Sequence, residues 1–153
     1  MQPSLLLYLF TPPLLLAAHS SYERRWLFHG TSAEVVEQIV ENNFDRSFSG
    51  KNATRYGKGT YFARDASYSS HPTYSVPDGN GVQRIFVARV AVGKFGPGEA
   101  DKPAPMRDPS GNDPRAQNMR LDSTVDNVRD PAIFVTYKDG QSYPAYLIAF
   151  KKA

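Results

Sequence analysis

The sequence predicts an α+β domain built on a mainly antiparallel sheet. Short β-branched or aromatic runs outnumber helical segments along the chain, and only two segments, both short, read as helix. Turn residues separate them throughout. At 153 residues the chain has room for one domain with a real core.

Each element has its own warrant. Arg25 to Phe28 reads as a buried strand ending on His29-Gly30. Thr31-Ser32-Ala33-Glu34 has the form of a capping box. Val35, Val36, Ile39 and Val40 then share one face of a short helix that ends near Asn42-Asn43. Asp45 to Gly59 is polar and glycine-punctuated, a loop. Thr60 to Ala63 is a short strand, and Asp65 can cap a short helix running to about Ser70. Tyr74 to Gly81 is a second loop. Arg84 to Val92 alternates as a long strand. Gly96 to Gln117 holds five prolines and reads as one long loop. Ile133 to Tyr137 and Ala145 to Phe150 are strands, and Lys138 to Gln141 supplies hairpin turn chemistry between them.

Composition narrows the chemistry. With no cysteine there is no disulfide, no thiolate nucleophile and no cysteine metal site. The three histidines, His19, His29 and His71, form no i, i+4 pair, so no metal is expected. A formal charge of +3 is scattered along the chain, without the basic and aromatic clustering of a nucleic-acid groove. Gly57-Lys58-Gly59 lacks the spacing of a phosphate loop and runs into a strand instead of a helix. No Gly-x-Ser-x-Gly elbow is present.

Residues 1–22 are set apart as an apolar leader, with residues 23–153 as the folded domain. The run Leu5 to Ala18 is shorter than the roughly 20 residues of a spanning helix, and Pro12-Pro13 interrupts it. It also lacks a basic residue before the apolar run, so export is the minority expectation.

The chemistry-bearing motifs are FHGTS (28–32), YGKGTYFARDASYS (56–69), Tyr74, LDSTVDN (121–127) and PAIFVTYKDGQSYPAYLIAF (131–150). In this order and at these separations they resemble the catalytic domain of the poly(ADP-ribose) polymerase family, in its mono-transferring branch. The resemblance runs from about Glu23 to Lys151. It implies an ADP-ribosyltransferase-like, split-sheet fold that binds NAD as co-substrate. The family domain begins with another strand and helices, so the chain looks N-terminally truncated, and a bare sheet edge is expected.

The same resemblance assigns roles. Gly30 offers backbone donor and acceptor to the nicotinamide carboxamide, and Ser69 adds a hydroxyl. Tyr61 and Tyr74 sandwich the cationic ring. His29 holds a ribose hydroxyl with Thr31 beside it, and Arg46 is a candidate for the diphosphate. Polymerising members carry a glutamate where this chain has Ile133, and no other acid lies close in sequence. The implied triad is therefore His29, Tyr61 and Ile133, and the implied activity is transfer of a single ADP-ribose to acceptor side chains with release of nicotinamide. The alternative is a catalytically inactive relative that binds NAD or a partner. Acceptor proteins are the expected partners, with nucleic-acid ends as a second acceptor class and no membrane. A monomer in the nucleus or cytoplasm is expected.

Overall fold

The computed structural model describes residues 6–9, 23–45, 54–110 and 119–152. They form an α+β fold around one eight-stranded sheet with the order β1-β8-β4-β2-β3-β7-β6-β5. The strands are β1 (Leu6–Leu9), β2 (Arg24–Thr31), β3 (Thr60–Ala63), β4 (Gln83–Ala91), β5 (Phe95–Pro97), β6 (Ser123–Val125), β7 (Ile133–Thr136) and β8 (Ser142–Phe150). Two helices, α1 (Ala33–Asn42) and α2 (Ala66–Ser69), complete the described elements. Of the strand pairings only β5 with β6 is parallel.

The sheet has two unequal halves. β2 pairs with β4 over its full length, Arg24 to Thr31 against Ala91 to Arg84. β4 pairs in turn with β8 from Gln83 to Val90. In the other half β3, β7 and β6 are three or four residues long. The halves meet between β2 and β3, where the register is a single pair, Phe28 opposite Ala63. Beyond that pair the two strands are held by something other than a ladder, and the sheet is split there.

The core follows the alternation of β2 and β4. Leu27, Phe86, Ala88 and Val90 are buried together with Phe62, Phe134 and Val125 from the short half. Burying each phenylalanine contributes roughly 2–3 kcal/mol. From α1, Ile39 is buried and Val35 and Val36 pack partly against the core. Val40, expected on the same face, is 42% exposed. It follows Ile39 directly, about 100° further round the helix, beyond the edge of a narrow apolar stripe.

Several local expectations need correction. β2 does not stop at Phe28: His29, Gly30 and Thr31 all pair with β4, opposite Phe86, Ile85 and Arg84. The capping box does not form, because Ser32 and not Thr31 is the N-cap, and its side chain makes no cap bond. Continued pairing to Thr31 holds that residue in the strand. Glu34 accepts from its own N–H and from Ser32, which lowers its pKa. The long loop starts after Pro97, since Phe95 to Pro97 pairs with β6. β6 itself was not anticipated as a strand.

The turn at Lys138–Gln141 exists, with the Gln141 N–H donating to the Lys138 carbonyl at 3.2 Å and Gly140 at φ 82°. It does not make a hairpin. β7 pairs with β3 and β6, whereas β8 pairs with β4 and β1. Gln141 explains the divergence. Its Oε1 accepts from Tyr137 and Lys138, its Nε2 donates to Asp122 and Ala91, and its carbonyl accepts from Ala91 N–H. One residue thus binds both halves of the sheet and hands the chain across.

The edge expected to be bare is partly covered. Leu6 to Leu9 runs antiparallel to β8, opposite Ala149 to Tyr146. Pro144 lies outside this pairing, next to the register shift between Val87 and Ala88, where a missing N–H is tolerated.

Candidate active site at the seam of the sheet

The seam between β2 and β3 is closed by a side chain. His29 Nδ1–H donates to the Tyr61 carbonyl across it at 2.8 Å. A carbonyl can only accept, so this bond fixes the tautomer with the proton on Nδ1. The ring of His29 lies against Phe44 and Phe62, with centroids 5.2 and 5.6 Å away. Burial pushes its pKa below the usual histidine value, against the opposing pull of the Tyr61 bond. The imidazole is therefore held neutral, with Nε2 an acceptor that has no protein partner among the described residues. His29 is thus half-buried at the edge of the core, against two of its phenylalanines.

Gly30 sits where no side chain fits. A Cβ there would lie 2.3 Å from the Ser69 carbonyl and 2.9 Å from the Tyr74 Cβ. The bare backbone of β2 is thus pressed against both α2 and the Tyr74 segment. Ser69 is 3% exposed and its hydroxyl makes no hydrogen bond with the described residues. Among these residues no fully buried side-chain oxygen lacks a partner. The Ser69 Oγ is therefore not fully enclosed.

Tyr61 and Tyr74 are each tied to the His29-Gly30 step, by the His29 bond and the Gly30 approach respectively. Their rings are not in contact with each other. The Tyr61 hydroxyl donates to the Gly57 carbonyl at 2.8 Å and accepts from Tyr56 N–H at 2.9 Å. Burial raises its pKa, so the phenol stays protonated. Tyr74 is held by its own loop: its N–H donates to the His71 carbonyl, and Gln83 Nε2 donates to the Ser70 and Ser75 carbonyls around it.

Tyr68, which was not picked out from the sequence, stacks on Tyr74 at 4.9 Å and 20°, with the hydroxyls 2.8 Å apart. Burial and this neighbour raise its pKa strongly. The spacing Tyr68 to Tyr74 was visible, but only the fold of α2 into the following loop turns it into a stack. Phe44 was missed for the same reason: nothing in a polar loop marks one phenylalanine as the lid on His29.

Thr31 is buried at the end of β2, its hydroxyl directed to the Ser32 carbonyl at 3.4 Å. Arg46 lies outside the described residues. Ile133 is 5% exposed and pairs with Ala63 on β3. Its surroundings correct one expectation. Asp126 directly follows β6, its N–H donates to the Ile133 carbonyl at 3.3 Å, and its Oδ1 accepts from the N–H groups of Ala132 and Ile133 at 3.0 and 2.9 Å. An acid is therefore close in space, seven residues away in sequence, occupied in capping the start of β7. Asp130 is taken up by Arg64 at 2.6 Å.

The arrangement combines a neutral imidazole acceptor, a hydroxyl that is not fully enclosed, bare backbone and two separate aromatic walls. The chain matches the poly(ADP-ribose) polymerase catalytic domain over residues 16–152. It belongs to that family. It is 46% identical to the human protein mono-ADP-ribosyltransferase PARP14 over 126 residues, 82% of this chain and 7% of that protein. It is 43% identical to mouse protein mono-ADP-ribosyltransferase PARP10 over 125 residues, 82% of this chain and 12% of that one. For human protein mono-ADP-ribosyltransferase PARP12 the identity is 44% over 128 residues, 84% of this chain and 17% of the relative. The chain thus spans less than a fifth of each of these three relatives. Among the described residues there is no cluster of three or more His, Asp or Glu able to hold a metal, and no helix long and apolar enough to cross a membrane.

Proposed function

We propose that this domain transfers a single ADP-ribose from NAD to acceptor proteins, using the seam between β2 and β3 as its NAD site. The observation that carries the reading is the close approach at Gly30: bare backbone of β2 pressed against the backbone of Ser69, the residue whose hydroxyl a primary carboxamide would use, and against Tyr74. Tyr61 and Tyr74 form the walls on either side of the nicotinamide ring. His29 Nε2 accepts a hydrogen bond from a ribose hydroxyl with Thr31 beside it, and Arg46 remains the candidate for the diphosphate from the sequence alone.

The reaction breaks the bond between the nicotinamide nitrogen and the ribose carbon. The bonding electrons leave with the ring, which becomes neutral nicotinamide, so no general acid is needed. The transition state has sugar-cation character. Holding NAD in one bent pose provides much of the acceleration. An acceptor carboxylate then bonds to the ribose carbon with no proton to lose. A ribose hydroxyl, the nucleophile for chain growth, must lose one and needs a base. Ile133 supplies none, and the Asp126 oxygen nearest it is committed to two amide donors. Transfer therefore stops after one unit. An intracellular setting, as a monomer, fits this reading.

Incubation with labelled NAD should give both free nicotinamide and protein-bound label, with intact mass showing single units per site and no ladder. Ile133→Glu should not create a ladder by itself, because a growing chain also needs a place to bind. Binding of NAD with neither product would instead support a catalytically inactive NAD-binding relative.

A further inference from the structure

Two hydroxyls far along the chain converge on the segment that holds Tyr61. Thr124 Oγ1 lies 2.7 Å from the Tyr56 carbonyl, and Tyr137 OH lies 3.1 Å from the same oxygen. The two hydroxyls are 2.8 Å from each other. On its other side the Tyr56 residue donates its N–H to the Tyr61 hydroxyl, which donates in turn to the Gly57 carbonyl. Gly57, at φ 125°, has no room for a Cβ beside the Tyr137 hydroxyl. The peptides on both sides of Tyr56 are therefore fixed by side chains from β6, from the residue after β7, and from β3.

We propose that Thr124 and Tyr137 are positioning residues that set the Tyr61 ring through the Tyr56–Gly57 backbone. The inference rests on the reading above, in which Tyr61 is a wall of the nicotinamide slot. The geometry supports it. Each hydroxyl lies within donating distance of the Tyr56 carbonyl. Either hydroxyl alone can thus hold the carbonyl, and the pair makes the hold redundant. Packing does not replace it, because a cavity of about 230 Å³, lined also by Pro97, Lys102 and Arg120, borders Thr124 and Tyr137.

The test measures the affinity of the full chain for a benzamide, below the melting temperature of every variant. Thr124→Val or Tyr137→Phe alone should weaken binding about twofold, and the two together about tenfold, the scale of losing both donors to one carbonyl. The KM for NAD should rise in parallel with smaller change in kcat. Thr124→Ser in the Tyr137→Phe background should restore affinity, which a merely structural role would not require. Unchanged affinity in a folded double variant overturns the proposal. Should the double variant not fold, the single variants decide by the same criterion. Tyr74→Ala separates the two levels. If it weakens benzamide binding and the hydroxyl variants do not, only the positioning role fails. If the parent chain binds no benzamide, or Tyr74→Ala has no effect, the nicotinamide reading fails and the positioning role with it.

Discussion

The half of the sheet containing β2, β4 and β8 is long, with β2 paired along its whole length and β4 along nearly all of its own, whereas the half containing β3, β7 and β6 is short and meets β2 through one residue pair. The long half is held by ladders and by large buried side chains. Besides the core they share, the short half is held to it by specific polar contacts: His29 to Tyr61, and Gln141 bonded to residues of both halves. A continuous ladder between β2 and β3 would use up the backbone groups that a carboxamide needs. The difference teaches that polar side-chain contacts take over where pairing stops, and that the proposed site lies at that break.

Variants placed on either side of the seam should test this placement. The largest effect is expected for His29→Ala, which removes the bridge to Tyr61 and the Nε2 acceptor together. NAD turnover should fall about a hundredfold, the scale of misplacement in a site that works by orientation. Trp26→Ala, three residues earlier on β2, is the matched control. Trp26 is 48% exposed and lies under Arg89, whose guanidinium is 4.9 Å from the ring. That variant should lose about 1 kcal/mol of stability and keep its turnover. Equal losses of turnover in both would erase the distinction between the halves.

Gly30→Ala comes next. The added Cβ must push the Ser69 carbonyl and Tyr74 away, at a cost of about 1–3 kcal/mol. Benzamide binding should be lost even in the fraction that folds, as read by calorimetry beside a thermal melt. Retained binding would show that the close approach is packing only.

A smaller effect concerns pH. His29 takes up a proton less readily folded than unfolded, because burial holds its pKa down. The unfolded chain therefore binds more protons as the pH drops. The contribution of His29 is complete above its unfolded pKa of about 6.5 and is lost as pH falls through that value toward the lower folded one. Melting temperature should decline over that window in the parent chain and decline less in His29→Ala. Identical profiles would mean that His29 is not buried as described.

The two halves also differed in how far they could be read from the sequence. The alternation of Arg84 to Val92 placed β4 within one residue at each end, and the motifs found β3 and α2. In the short half, β6 is three residues of Ser-Thr-Val, too brief for any periodicity to register. The hairpin expected at Lys138 to Gln141 had correct turn chemistry, yet turn residues specify a reversal and not the partner strand. Gln141 specifies the partner, through bonds to residues up to 50 positions away. At the site, His29, Gly30, Tyr61 and Tyr74 stood in motifs. Tyr68 and Asp126 stood in motifs too and Phe44 did not, but none of the three was singled out, because each acquires its role from a neighbour that only the fold supplies. Asp126 shows the limit most sharply: nearness in sequence was the measure applied around Ile133, and a cross-strand neighbour escapes it.

The most direct measurement of the central claim is a backbone NMR titration of the chain with a benzamide. The account predicts that the largest shifts fall on the amides of Gly30 and Ser69 and along Tyr61 and Tyr74, on both flanks of the seam, while β8 stays still. Saturating ligand that shifts nothing, or that shifts β4 and β8 while leaving Gly30 and Ser69 in place, would contradict it.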